Sequence, residues 1–284
     1  METINNKFKI ISKIGYGKFG IVYKGINIID NTAVAIKFES NKSPFMLLKR
    51  ETAILSHLYR KVLNIPKIFY YGLFKGHLCT VMTYYTHNLG DFVEKKNPDE
   101  NILYTLFQKC ICILKEVHEN GVVHRDIKPQ NFMILNNEIY LIDFGLALFY
   151  MNDDTHHSSR NNTIIGTPKY ISYYVHSGEP SSRRDDLISI GYIFLYFLKG
   201  SLLWEVQDEI NTHHNELSFE HPSNVFRKRM KSLESVENLY KTKFISEELY
   251  HFFQYCYSLE YDEKPDYDVL YELRRLTDET TNSN

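Results

Sequence analysis

One stretch constrains this chain more than any other: His124-Arg125-Asp126-Ile127-Lys128-Pro129-Gln130-Asn131. A helical pattern precedes it and a short apolar run, Phe132 to Leu135, follows it. Further on comes Asp143-Phe144-Gly145. A carboxylate, an ammonium and an amide in this order suit the movement of a phosphoryl group. Asp126 can accept the proton of an attacking hydroxyl, Lys128 can neutralise charge on the phosphate in transfer, and Asn131 and Asp143 can hold Mg²⁺. The alternative is a chance polar turn between a helix and a hairpin. The companion motifs along the chain argue against it.

The 284 residues are enough for one large domain or two lobes with a sizeable core. Net charge is −2, so any preference for anionic substrates must come from a local patch, and neither nucleic acid nor an anionic membrane is favoured. Cys79, Cys110, Cys112 and Cys256 form no zinc spacing and no disulfide framework, which points to reduced thiols and a cytoplasmic setting. The first residues lack the apolar core of a secretory signal. The longest apolar run, Leu187 to Leu198, is short of the ~20 residues of a membrane span and reads as a buried helix.

Phe8 to Ile14 alternates like a strand and runs into Gly15-Tyr16-Gly17-Lys18-Phe19-Gly20, with Val22 close behind. A dinucleotide-binding glycine motif should open a helix. Here β-branched and aromatic residues continue as strand, so the reading is a glycine-rich hairpin whose backbone can approach phosphates. Turn geometry alone is the plainer explanation of the same glycines. Val34-Ala35-Ile36-Lys37 is a second apolar strand closed by a lysine, and an ammonium there needs a partner. The helical pattern from Phe45 to Leu58 offers Glu51, expected to pair with Lys37. Glu39, on the same strand face as Lys37, is read as a distractor. Two more strands, Ile68 to Phe74 and His77 to Tyr84, complete a sheet of about five strands.

Met82 is placed at the back wall of a pocket, and Thr83-Tyr84-Tyr85-Thr86 at a hinge offering backbone groups to a purine edge. Asp91 is either a ribose ligand or a plain helix N-terminal carboxylate. Asn101 to Asn120 is helical, stopped by Gly121, and Phe132 to Leu135 with Ile139 to Ile142 forms a hairpin delivering Asp143. Residues 151–163 are polar and read as an exposed surface segment, with His156 and His157 simply solvated. Thr167 is expected to bond Asp126 and Lys128, and Asp186 to bind N–H groups of the loop around Asp126 or to serve its own helix. Arg227-Lys228-Arg229-Met230-Lys231 is read as a solvated helix face in preference to a nuclear address or an anion patch.

Together these motifs resemble the eukaryotic protein kinase family over nearly the whole chain, and more narrowly the casein kinase 1 family. The narrower likeness rests on Gly145-Leu146-Ala147 after Phe144 and on Ile171-Ser172-Tyr173 where most kinases carry Ala-Pro-Glu. It rests also on Ser182-Arg183-Arg184-Asp185-Asp186-Leu187, Gly200 to Trp204, and Lys264-Pro265-Asp266-Tyr267. The resemblance implies an α+β, bilobal fold: a small antiparallel sheet with one main helix (about 1–82), a hinge (83–86), and a larger, mostly helical lobe (about 87–276) before a polar tail (277–284). It implies Ser/Thr transfer from ATP with Mg²⁺, Mn²⁺ being an alternative, and no obligatory activation-loop phosphorylation. Ile14, Gly15, Gly17, Gly20, Val22, Ala35, Lys37, Glu51, Met82, Tyr85 and Asp91 would line the nucleotide site.

The expected partners are protein substrates, acidic ones included, acting on a monomer in the cytoplasm, with the nucleus as a second location. The family reads a substrate phosphate with three cations. Here Leu148 and the region of Asn162 replace two of them and Lys169 alone remains, so weak dependence on pre-phosphorylated substrates is expected. The family's regulatory tail is expected to be missing. The rival readings are a catalytically weak kinase-like scaffold, which should lack a catalytic residue, and a small-molecule phosphotransferase, which should lack the long polar segment.

Overall fold

The computed structural model describes residues 3–17, 20–40, 46–152, 155–156, 164–205 and 218–271, with the backbone alone at 16, 17, 152, 155 and 156. The chain forms two compact units. The first takes in the chain up to Phe92 together with Gln130–Ala147, and the second takes in Val93–Pro129 and the chain from Leu148 onward. Residues 130–147, expected with the larger lobe, therefore group with the first unit.

The first unit is built on a five-stranded antiparallel sheet. Its strands are β1 (Phe8–Gly17), β2 (Gly20–Asn27), β3 (Ala33–Ser40), β4 (Ile68–Phe74) and β5 (His77–Thr83), in the order β1-β2-β3-β5-β4. Period-two alternation on β3 sends Val34 and Ile36 to one face, into a core with Ile4, Phe8, Cys79 and Val81. Lys37 and Glu39 take the other face, where α1 (Leu47–Leu58) packs through Leu48, Ile54, Leu55 and Leu58. The β1–β2 glycines divide by role. Gly20 has φ +124, and a Cβ there would strike the carbonyl oxygen of Phe38, so the hairpin itself requires glycine. A Cβ on Gly15 would meet only Val22 at 3.8 Å, so the hairpin does not require one there.

A smaller sheet in the same unit joins β6 (His87–Asn88), which leads into α2 (Leu89–Lys96), with the hairpin β8 (Phe132–Leu135) and β9 (Glu138–Leu141). Asn136 and Asn137 both have positive φ, 51° and 64°, as a two-residue hairpin turn demands.

The second unit is mostly helical. α3 (Glu100–Glu119) starts at Asp99, whose side chain accepts from the Ile102 N–H at 2.9 Å, and ends at Gly121 with φ +79. The short β7 (Val122–Val123) pairs with β10 (Leu148–Phe149), and β11 (Met151–Asn152) pairs with β12 (Thr155–His156). The rest of the expected polar segment, and the expectations on His156, His157 and Asn162, lie outside the described side chains. After α4 (Tyr173–His176), α5 (Arg183–Lys199) is buried from Arg183 to Leu195, as its apolar run predicts. Gly191 lets α5 meet Phe252 and Phe253 of α8 (Glu247–Ser258), since a Cβ would come within 2.8 Å of both rings. No described helix is long and apolar enough to cross a membrane.

One expectation fails between α6 (Pro222–Met230) and α7 (Leu233–Lys241). The basic run is a solvated face only at Arg229 and in part at Lys228, because Arg227 and Lys231 are fully buried. The Lys231 ammonium donates to the carbonyls of Pro168 (2.8 Å) and Ile171 (2.7 Å) and lies over the rings of Tyr192 and Trp204. Carbonyl dipoles and aromatic faces replace the water the charge gives up.

Candidate active site

A cavity of about 670 Å³ opens in the first unit. Ile14, Gly15, Gly20, Val22, Ala35, Lys37, Glu51, Met82, Tyr85 and Asp143 line it, as do the hinge residues Thr83 and Tyr84. Its size and apolar walls with a few charged groups at one end are those of a small-ligand site. Strand pairing explains the assembly. Val22 faces Lys37 across β2–β3, and Ala35 faces Met82 across β3–β5, so three strands deliver one wall.

The charged end is a triad. Lys37 Nζ stands 2.8 Å from Glu51 Oε2 and 2.8 Å from Asp143 Oδ1. Burial acts to lower the Lys37 pKa, but the two carboxylates outweigh it and raise the pKa, so the ammonium stays charged. Glu51 is shifted up, first by burial, because one shared ammonium and the Phe144 N–H do not fully replace its water. Asp143 holds a left-handed backbone, φ 65 and ψ 62, uncommon for a non-glycine residue and the sort of strain concentrated at functional positions. Fully buried Phe144 anchors the turn behind it. The Ile142 N–H donates to the Asn131 carbonyl at 2.9 Å, continuing the β8–β9 register, so Asn131 and Asp143 emerge at the same end of that hairpin. An amide and a carboxylate are hard oxygen donors of the kind Mg²⁺ takes together with phosphate and water, so these residues fit the expected ion.

The second unit carries the loop from His124 to Lys128. Asp126 is 4 % exposed. Its Oδ2 accepts from Lys128 Nζ at 2.7 Å and its Oδ1 from the Thr167 hydroxyl at 2.7 Å, and Lys128 Nζ also reaches Thr167 Oγ1 at 3.5 Å. Gly166, φ +106, brings this segment against the loop, where a Cβ would lie 2.6 Å from the Arg125 carbonyl. Beneath the loop, Asp186 accepts the N–H groups of His124 (2.7 Å) and Arg125 (2.9 Å) and a bond from His118 Nε2 (3.0 Å). His118 Nδ1 in turn meets the Tyr267 hydroxyl at 2.6 Å. Burial acts to raise the Asp186 pKa, yet the bonds from His118 and His124 prevail and hold it below the ordinary aspartate value.

Two residues are engaged by neighbours of their own. Asp91 lies in the first turn of α2, as the second of its two readings has it, and is not among the cavity walls. Its carboxylate accepts from the Asn88 side-chain amide at 2.8 Å, and its N–H donates to Asn88 Oδ1 at 2.9 Å. Asn88 itself lines the cavity. The Asn-x-x-Asp spacing at a helix start is a reciprocal capping signature that could have flagged the pair. Lys169 is held by Glu205 at 2.8 Å and sits 3.8 Å from the Tyr196 ring centroid. Pro66, Gln130, Met133 and Ile142 also line the cavity and carry no local signal of doing so. The Gly17 side, Lys18 and Phe19 lie outside what is described.

The protein kinase domain model matches residues 8–271, and this chain belongs to the protein kinase family. Among curated relatives it is 33% identical to Casein kinase I homolog 2 and to Casein kinase I homolog 3 of Schizosaccharomyces pombe, over 96% of this chain and 62% of each relative. The chain therefore spans less than two thirds of the length of the relatives it matches.

Proposed function

We infer that this chain is a serine/threonine protein kinase of casein kinase 1 type that moves the ATP γ-phosphoryl group to protein hydroxyls. The observation that carries the reading is the Lys37–Glu51–Asp143 triad at the charged end of a cavity walled by a glycine hairpin. Lys37 supplies a cation to the α/β-phosphates. Asp126 orients the substrate hydroxyl and takes its proton, and Lys128 offsets charge on the transferring group. Asn131 and Asp143 would hold Mg²⁺, which when bound supplies charge neutralisation at the phosphates. Most of the rate comes from positioning and electrostatics fixed in advance. All residues of this set are present, which disfavours a scaffold without turnover.

The substrate preference follows from Lys169. Its ammonium is already matched by Glu205, so it has little charge to spare for a substrate phosphate. We read the substrates as unprimed proteins, acidic ones included, met by a cytoplasmic monomer. Comparable rates on primed and unprimed forms of one peptide would support this, and a strong primed preference would contradict it. The activity itself is tested by transfer from labelled ATP to casein, comparing wild type with Asp126→Asn. Label that disappears in the variant supports the kinase reading. No label from folded, ATP-binding wild type contradicts it.

A further inference from the structure

α1 carries Glu51 yet has no cap of its own. Met46 at its N-cap is left-handed, φ 45 and ψ 40, offers no side-chain acceptor, and the first turn contains no acidic residue. The first N–H donors are nevertheless satisfied from another element. Glu39 on β3 accepts from the Leu47 N–H at 3.1 Å with Oε1 and from the Leu48 N–H at 2.7 Å with Oε2. Its side chain is buried. A carboxylate on these donors meets both the orphan N–H groups and the positive end of the helix dipole.

The source of the cap matters. A local cap would stabilise the helix wherever it lay, whereas Glu39 ties the helix start to the strand that carries Lys37. Lys37 and Glu39 project from the same face of β3, and Glu51 lies about one helical turn beyond Leu48. One short piece of strand thus fixes both members of the Lys37–Glu51 pair. Thr52 adds a second tie, its hydroxyl 3.1 Å from that of Thr80 on β5. In kinases the placement of this helix is a control point for activity.

We propose that Glu39 is a positioning residue that holds Glu51 against Lys37 by capping α1 from the sheet. The activity arm of its test rests on the kinase reading, and a second arm does not. Glu39→Gln and Glu39→Ala are made in the full chain and assayed at a temperature where both are folded by circular dichroism. In parallel, the rate of Lys37 acetylation by an amine-reactive reagent is read by mass spectrometry. The expected result is a kcat lowered about tenfold, the scale of a lost carboxylate cap, with the casein KM within about twofold. Lys37, partly released from Glu51, is acetylated at least about threefold faster. A wild-type kcat accompanied only by a lower Tm makes Glu39 an ordinary cap and overturns the proposal, as does unchanged Lys37 labelling at any activity. Should wild type itself transfer no phosphate, the kinase reading fails separately, and the labelling rate alone decides for or against Glu39.

Discussion

Glu51 and Asp186 are both buried carboxylates, and their environments push them in opposite directions. Glu51 is shifted up because burial outweighs its single shared ammonium. Asp186 is shifted down because the imidazole of His118 first, and then His124 with its backbone N–H, outweigh the same penalty. The difference separates two kinds of construction. In the first unit the charges stand at one end of a cavity, and burial shifts Glu51 toward its neutral form. In the second, both carboxylate oxygens of Asp186 accept from protein donors beneath the catalytic loop, and the result is a fixed backbone. A site open to a ligand keeps its charges beside a cavity, and a scaffold that holds a loop packs its charge beneath the backbone.

The largest expected effect would break this comparison outright if absent. Asp143→Ala should lower phosphoryl transfer by about a thousandfold, or ~4 kcal/mol of barrier, while the Tm stays close to wild type. A collapse of Tm would mean that Asp143 is scaffold as much as site. Asp186→Ala should do the reverse and cost about 3–5 kcal/mol of stability by denaturant titration, since His118 and two N–H groups lose their acceptor. Glu51→Gln, by contrast, should cost about 1 kcal/mol, because Lys37 keeps Asp143 at 2.8 Å and is not left as an unpaired buried charge. Equal losses from the two would erase the distinction.

A buried imidazole in the second unit sharpens the contrast through pH. His176 is held neutral, its pKa pulled down to about 2 by burial first and by the Lys231 ammonium next. The unfolded chain takes up a proton near pH 6.5 that the folded chain refuses. The His176 contribution is therefore fully present above pH 6.5 and is lost progressively as pH falls from there toward 2. Between pH 6.5 and 5 the loss should be about 2 kcal/mol of folding free energy, measured by urea titration. His176→Asn should show a correspondingly flatter acid limb, and an identical limb would place a proton on the native imidazole. The smallest effect is Tyr267→Phe, which removes the hydroxyl at His118 Nδ1. It should cost about 1 kcal/mol without changing kcat, the mark of a residue that acts on the scaffold alone.

How much of this was legible in the sequence follows the same division. Strands and helices with clear periodicity stand within a residue or two of their expected bounds. Examples are Ile68–Phe74 on β4 and Glu100–Glu119 on α3. Lys37, Glu51, Thr167 and Asp186 were readable because their partners are tied to motifs with fixed order. Glu39 was not, because its work is done on a helix beyond an intervening stretch and the helix start at Met46 carries no capping residue to prompt the question. The burial of Arg227 and Lys231 was not legible either, since a charged run tells nothing of the carbonyls and rings that will enclose it. Of the two readings of Asp91 the helix-start one stands, since it pairs with Asn88, and it is Asn88 that lines the cavity.

The measurement that bears most directly on this account is the MgATP dissociation constant of Asp126→Asn beside wild type, by titration calorimetry. If the cavity of the first unit binds nucleotide and the loop of the second performs the proton transfer, the two constants should agree within about twofold while phosphoryl transfer in the variant is lost. A nucleotide affinity weakened about tenfold or more by this substitution would contradict it.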